Sequence, residues 1–422
     1  MIDVHTIADH ELAALAQGLG GPAVVRALWN GQHSKRLLLL KLLVDSWPSE
    51  RRDRDEAVAA IAAAEDREPF GVRRILVDPM VGAWTAETVR RLRRKAVEPG
   101  DLEHFGDLAA ATTLHAGTSA RLYGHARDGW LHLPAFGRIR VPAPAGRVEL
   151  DIRNGRLRID GANAAGAWQA RRPLTARGEP SLIVELDDID PYRDVYHVPT
   201  ADRLTDAETD EWRRRLVEAW RILTRYAPER AAEIAEGLKC LVPLTKPDAR
   251  AARSATSKEA VGVIGLDRPR TAADFVVALV HEFQHSKLSA ILDIVQLHDD
   301  LSPRTFFAPW RTDPRPVGGL LQGVYAFLGV ADTWRALCTD SSTFPQAARE
   351  FAEARVSVTE AVATLAGSGL LTADGAQFVR GMSDAVERLH ATQLPAATVA
   401  AAERSLAERR ATWNRGRPAR LG

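Results

Sequence analysis

The stretch TAADFVVALVHEFQHSKLSAIL, residues 271–292, decides how the rest of the chain is read. Thr271 with Asp274 makes a capping-box-like start, and Phe275, Leu279, Phe283, Leu292 and Val295 follow at helical spacing. The spacing predicts one helix over 271–297. Inside it stands His281-Glu282-Phe283-Gln284-His285, an HExxH motif. Two histidines four apart on a helix project from one face, close enough to share a divalent metal. Two imidazoles and a carboxylate are costly in an apolar helix unless paired or metal-bound. The plainer alternative is a pair of hydrogen-bonded core histidines.

The residues downstream of the motif matter as much. A zinc protease would use Glu282 as general base on metal-bound water and add a third protein ligand further along the chain. The next glutamate after Glu282 is Glu350, and the longer HExxHxxGxxH pattern would need Gly and His where Leu288 and Ile291 stand. Asp293 lies roughly 12 Å along the axis from His285 at about 1.5 Å per residue, too far to share the metal. The next apolar segment, 318–334, reads as a buried helix whose polar side chains are Gln322, Tyr325, Asp332 and Thr333. Gln322, flanked by glycines, is the expected third ligand. Its neutral amide suits Fe(II) with an anionic co-substrate better than a structural zinc. A hydrogen-bonded buried amide is the alternative.

Between the two helices, 302–317 holds Pro303, Pro309, Pro314 and Pro316 and reads as an ordered irregular loop. Arg311 and Arg315, held among these prolines, suit bidentate recognition of a carboxylate. Pairing of Arg311 with Asp313 to brace the loop is the competing reading. Ser254, Thr256 and Ser257 are candidates to line a cleft. His298 and Asp300, with His390, have the spacing of a jelly-roll oxygenase triad, but nothing around them alternates as a jelly roll does.

Outward from this core, the chain reads as α+β and predominantly α-helical. Residues 1–125 form a helical region, with a helix from Thr85 to Lys95 opened by Thr85 and another over 108–122. Residues 126–195 read as a small antiparallel sheet, because Asn154-Gly155 joins two alternating runs as a type I′ hairpin does. Residues 196–410 return to helix, with 246–258 as a polar loop, and form a zincin-like metal-site core. The 422 residues are 45% hydrophobic and 26% charged, as in ordinary globular proteins. A formal net charge of +1 gives no reason to expect nucleic acid or an anionic membrane as partner. Cys240 and Cys338 are the only cysteines, too few for a disulfide framework, so a reducing cytoplasm is the expected compartment. There is no signal-peptide pattern and no apolar run long enough to span a bilayer.

Several segments together resemble one family, the 2-oxoglutarate-dependent HExxH-type peptide β-hydroxylases, also described as an HEXXH-motif peptide-modification domain. The resemblance runs through Leu15-Ala16-Gln17-Gly18, Pro79-Met80-Val81-Gly82-Ala83-Trp84, Val280 to Leu288, Trp310 to Pro316, and Gly319-Leu320-Leu321-Gln322-Gly323-Val324-Tyr325. HExxHxKL, PWRxDPRP and LLQGxY in series are far more specific than HExxH alone. The resemblance implies Fe(II), 2-oxoglutarate and O2 as cofactor and co-substrates, and a ribosomal precursor peptide as the partner to be hydroxylated at a β-carbon. His281 and His285 would hold the iron, and Arg311 or Arg315 would bind the distal carboxylate. Glu282 would tune the site rather than drive hydrolysis. The competing expectations are a zinc metallopeptidase and a non-catalytic peptide-binding scaffold.

Overall fold

Why the chain is mostly helical is visible at the helix starts. The computed structural model describes residues 5–47, 52–142, 145–163, 168–194, 198–245 and 254–415. Its N-terminal part comprises α1 (Asp9–Ala16), α2 (Gly21–Ser46), α3 (Arg52–Arg67), α4 (Pro69–Leu76), α5 (Pro79–Arg93) and α6 (Pro99–Ala116). Four of these six, α2, α4, α5 and α6, carry proline in the first turn, where a missing N–H breaks no intrahelical bond. Asp78, not Thr85, caps α5, accepting the Met80 N–H at 2.9 Å. Thr85 is buried mid-helix with its hydroxyl on the Val81 carbonyl. α6 stops at Ala116 because Gly117 turns left-handed, so the helical region ends before residue 122 and well before 125.

Strands then run from β1 (Ala120–Arg127) through β2 (Trp130–Leu133), β3 (Gly137–Arg140), β4 (Gly146–Arg153), β5 (Arg156–Ile159), β6 (Ala162–Asn163) and β7 (Trp168–Gln169). They form one antiparallel sheet of order β6-β5-β4-β1-β2-β3-β7. Asn154 and Gly155 both take positive φ, as the type I′ turn requires. Leu122, Leu131, Ile139, Val148 and Leu150 point inward, in one hydrophobic cluster with Leu102, Phe105 and Leu108 of α6.

The expected single sheet over 126–195 is in fact divided. β8 (Arg172–Ala176) and β9 (Leu182–Leu186) belong to a second sheet of order β11-β12-β10-β9-β8, completed by β10 (Cys240–Pro243), β11 (Ser254–Ala255) and β12 (Val263–Leu266). β10 pairs parallel with both β9 and β12. Leu174, Ala176, Leu182, Val184 and Leu186 bury themselves in the cluster of the C-terminal helices rather than against α6. β10 and β12 are buried on both faces, which leaves no alternation in their sequences to read. Of the polar loop expected over 246–258, residues 246–253 lie outside the described residues, and Ser254–Ala255 is the edge strand β11.

The remaining helices are α7 (Asp206–Tyr226), α8 (Pro228–Gly237), α9 (Ala272–Leu292), α10 (Val317–Leu337), α11 (Ala347–Ala366), α12 (Ala373–His390) and α13 (Ala396–Arg415). α9 starts where Thr271 accepts the Asp274 N–H at 3.0 Å, and it ends at Leu292, short of residue 297. The loop before α10 closes on a two-stranded ribbon, β13 (Thr305–Phe306) and β14 (Arg315–Pro316). α9 and α10 pack side by side in the larger hydrophobic cluster, with Phe275, Leu279, Leu288, Leu321 and Val324 among its buried members. Among the described residues, no helix is long and apolar enough to cross a membrane. The protein is α+β and predominantly helical.

Candidate metal centre

α9 presents His281 and His285 one turn apart with their Nε2 atoms 3.2 Å from each other and their rings at 82°. Two imidazole nitrogens each about 2.1 Å from one metal stand that far apart when they subtend an angle of about 100°. The pair is therefore already spaced for a shared divalent ion. His285 Nδ1 lies 2.9 Å from Gln322 Oε1, and the Gln322 amide nitrogen donates to Ser289 Oγ at 3.3 Å. That second bond leaves the amide oxygen as acceptor, so Nδ1 of His285 carries the hydrogen and Nε2 offers a lone pair. Burial, with the neighbouring His285, pushes His281 down to about 3 and keeps it neutral. A divalent metal requires an unprotonated ring nitrogen from each ligand, which the Nδ1–H tautomer of His285 leaves at Nε2.

Gln322 is not placed as the third ligand. The two nitrogens of an imidazole point away from each other, so an oxygen bonded to Nδ1 cannot also face the ion at Nε2. Its contact instead orients the His285 ring from the Nδ1 side. The first turns of α10 bring it there, and Gly323 beside it lets the Trp310 indole lie directly on the helix, leaving no room for a Cβ.

Glu282 reaches the same side as the histidine pair. Its Oε1 is 3.9 Å from His281 Nε2 and accepts the Ser254 hydroxyl at 2.7 Å, which fixes the carboxylate from the edge strand β11. Burial raises its pKa, against the opposing influence of His285 and of hydrogen bonds from Ser254 and Thr256. Ser257 turns instead to Glu259, at 2.8 Å. Among the described residues, no group of three or more His, Cys, Asp or Glu side chains is placed to hold a metal.

The arginine loop takes its bracing form. Arg311 Nε donates to Asp313 Oδ1 at 2.7 Å and Arg315 donates to Asp313 Oδ2 at 3.3 Å, so one carboxylate serves both guanidinium groups. Arg311 is half exposed, whereas Arg315 folds over Gly319 in the first turn of α10. Each guanidinium keeps further N–H donors beside the one given to Asp313.

Sequence reading missed the aromatic cover and the cleft above it. Phe327 sets its ring edgewise on His281, with centroids 5.1 Å apart, and Trp310 stacks on Phe327 at 4.6 Å and 17°. A cleft of about 790 Å³ opens between the Trp310–Pro314 loop and α13, lined by Arg311, Asp313, Glu408, Arg409 and Trp413. A second hollow of about 410 Å³ runs from Trp310 and Arg409 to Phe327 and Trp334. The aromatic signal at 310, 327 and 413 was present in the sequence, but nothing in its spacing tied these residues together. His298 pairs with Asp300 at 3.0 Å, and His390 bonds Thr359 on α11 at 3.0 Å. These partners give them no part in the α9 pair, and neither sheet is a jelly roll. In comparisons with known proteins, no family model and no curated sequence matches the chain.

Proposed function

We propose that the chain is an Fe(II)- and 2-oxoglutarate-dependent oxygenase that hydroxylates a side-chain β-carbon in a ribosomally made precursor peptide. The observation that carries this reading is the convergence of the two Nε2 atoms at 3.2 Å, with no third carboxylate, thiolate or imidazole completing the set among the described residues. Such a donor set leaves coordination positions for a bidentate oxo acid and O2. The balance is one peptide C–H, one O2 and one 2-oxoglutarate giving C–OH, succinate and CO2.

With iron and its co-substrates bound, the metal supplies the oxidising chemistry, and the chain's own side chains do the remainder. Gln322 holds the His285 tautomer. Glu282, fixed by Ser254, keeps a proton-accepting carboxyl beside the pair. Phe327 and Trp310 cover His281 with apolar surface and exclude water. Arg315, lying on the turn of α10 that precedes Gln322, is the better placed of the two arginines to take the distal carboxylate of 2-oxoglutarate. The cleft under α13 takes the peptide.

The test is to load the protein anaerobically with Fe(II) and 2-oxoglutarate, then admit air together with a candidate ribosomal precursor peptide. A mass gain of one oxygen matched by one succinate is expected. Hydroxylation that does not depend on 2-oxoglutarate overturns the reading. Glu282 favours one competitor, since a buried carboxylate with raised pKa beside a metal is also a general base for hydrolysis. That zinc-peptidase reading requires peptide cleavage under argon with Zn(II) alone.

A further inference from the structure

The face of α9 opposite the histidines is as polar as the site itself. Lys287 is fully buried, and its Nζ donates to Glu233 Oε2 at 2.6 Å and to the Gly18 carbonyl at 3.0 Å. Gln284 Nε2 donates to the same carbonyl at 3.1 Å, and Arg230 reaches it at 3.4 Å. Glu233, on α8, accepts the Gly20 and Gly21 N–H groups with its other oxygen, satisfying the free amides that open α2. From α10, the buried Tyr325 hydroxyl donates to the Leu15 carbonyl at 2.8 Å. Gly18 has φ of +88°, and this left-handed backbone turns its carbonyl toward the three donors.

We propose that Lys287, Gln284, Glu233, Arg230 and Tyr325 form a positioning hub on the α1–α2 turn. The hub sets the rotation of α9 against α10, and thereby the convergence of the two Nε2 atoms and the Gln322 contact. A buried ion pair is a poor source of stability, because apolar residues of equal volume often serve as well. Its fixed directions are what an apolar core lacks. α9 enters the hub one residue before His285 and two after it, and α10 enters three residues after Gln322. One slipped contact would therefore be felt at the site within a single helical turn. The hub residues touch no reacting atom and act through His285.

The functional consequence rests on the metal reading, but the geometry does not, and the experiment separates them. The paired variant Lys287→Met with Glu233→Gln leaves no lone buried charge, and Tyr325→Phe removes a single hydroxyl. Each is labelled with 15N-histidine and observed metal-free by NMR for the His285 Nδ1–H tautomer, then titrated with Co(II). Circular dichroism reports the fold. The paired variant is expected to keep its helical spectrum, lose the single tautomer and bind Co(II) about tenfold more weakly or worse, the range seen when a ligand's supporting partner is removed. Tyr325→Phe should move both signals in the same direction by about fivefold, the effect of one neutral hydrogen bond. Lowered thermal stability with tautomer and Co(II) affinity unchanged overturns the hub. If the paired variant does not fold, Tyr325→Phe decides by the same criteria. If the wild type itself takes no Co(II), the metal reading fails, and the tautomer signal alone judges the hub.

Discussion

Replacing Gln322 with Leu separates a ligand from an orienting partner. The substitution keeps the volume of the side chain on α10 and deletes the acceptor that stands 2.9 Å from His285 Nδ1. One neutral hydrogen bond contributes about 1 kcal/mol net, a factor of about five in affinity. Loss of the tautomer and ring orientation adds to it, and supporting partners of histidine ligands are typically worth 10–100-fold in metal affinity. At about 1.4 kcal/mol per decade, Gln322→Leu should therefore weaken Co(II) or Fe(II) binding by about 1.4–2.8 kcal/mol. The ligand-field spectrum of bound Co(II) should keep its shape, because the atoms touching the metal are unchanged. Gln322→Glu should bind as tightly as the wild type, since a carboxylate accepts the same Nδ1–H. The assay is anaerobic titration followed by visible absorption. An unchanged affinity in Gln322→Leu, or a spectrum that changes coordination number, would refute the assignment.

Further outcomes are expected from the cover, the arginine loop and the buried histidines. Arg315→Ala should raise the KM for 2-oxoglutarate at least tenfold in steady-state succinate assays, and Arg311→Ala less than threefold; equal effects would remove the distinction drawn from Gly319. Gly323→Ala should cost about 1–3 kcal/mol by overpacking against Trp310, read by chemical denaturation, and should raise the KM for the peptide by disturbing the cleft. Neither effect is expected if the indole moves freely. Burial, helped by the nearby charges of His104 and of arginines including Arg138, pushes His132 down to about 3 from an ordinary 6.5. Because the folded value is depressed, the unfolded chain binds the extra proton. The stability this neutral ring contributes is fully present above pH about 6.5 and is lost as pH falls toward 3. His132→Gln should flatten the fall in unfolding free energy between pH 6 and 4 by up to ~1.4 kcal/mol per pH unit, and a slope identical to wild type would contradict the burial argument.

The parts of the molecule legible in its sequence are those governed by local rules. The cap at Thr271, the 3.6-residue spacing of α9 and the Asn154-Gly155 turn depend on neighbours within a few residues, and each stands where its residues place it. The pairing of His281 with His285 is local in the same sense. Features that depend on distant partners were not legible. CLVP and VIGL, buried on both faces, carry no period, so the parallel strands β10 and β12 went unread and the second sheet with them. Gln322, on the next buried helix, meets His285. Which nitrogen of His285 it faces is set by the rotation of α10, a tertiary quantity. Arg311 and Arg315 stand four positions apart, and Asp313 midway between them takes both, a local pairing of which the Arg311 half was among the competing readings. Lys287 lies wholly inside, where its partner Glu233 comes from a different helix.

The oxygenase reading stands or falls with the α9 histidine pair holding iron in a form completed by 2-oxoglutarate. Anaerobic addition of Fe(II) and 2-oxoglutarate to the metal-free protein, followed by visible absorption, tests it most directly. A charge-transfer band that needs protein, iron and 2-oxoglutarate together, and that vanishes in His281→Ala and His285→Ala, is the expected result. No band with either wild-type or variant protein, together with peptide cleavage under argon by the Zn(II)-loaded wild type, would contradict it.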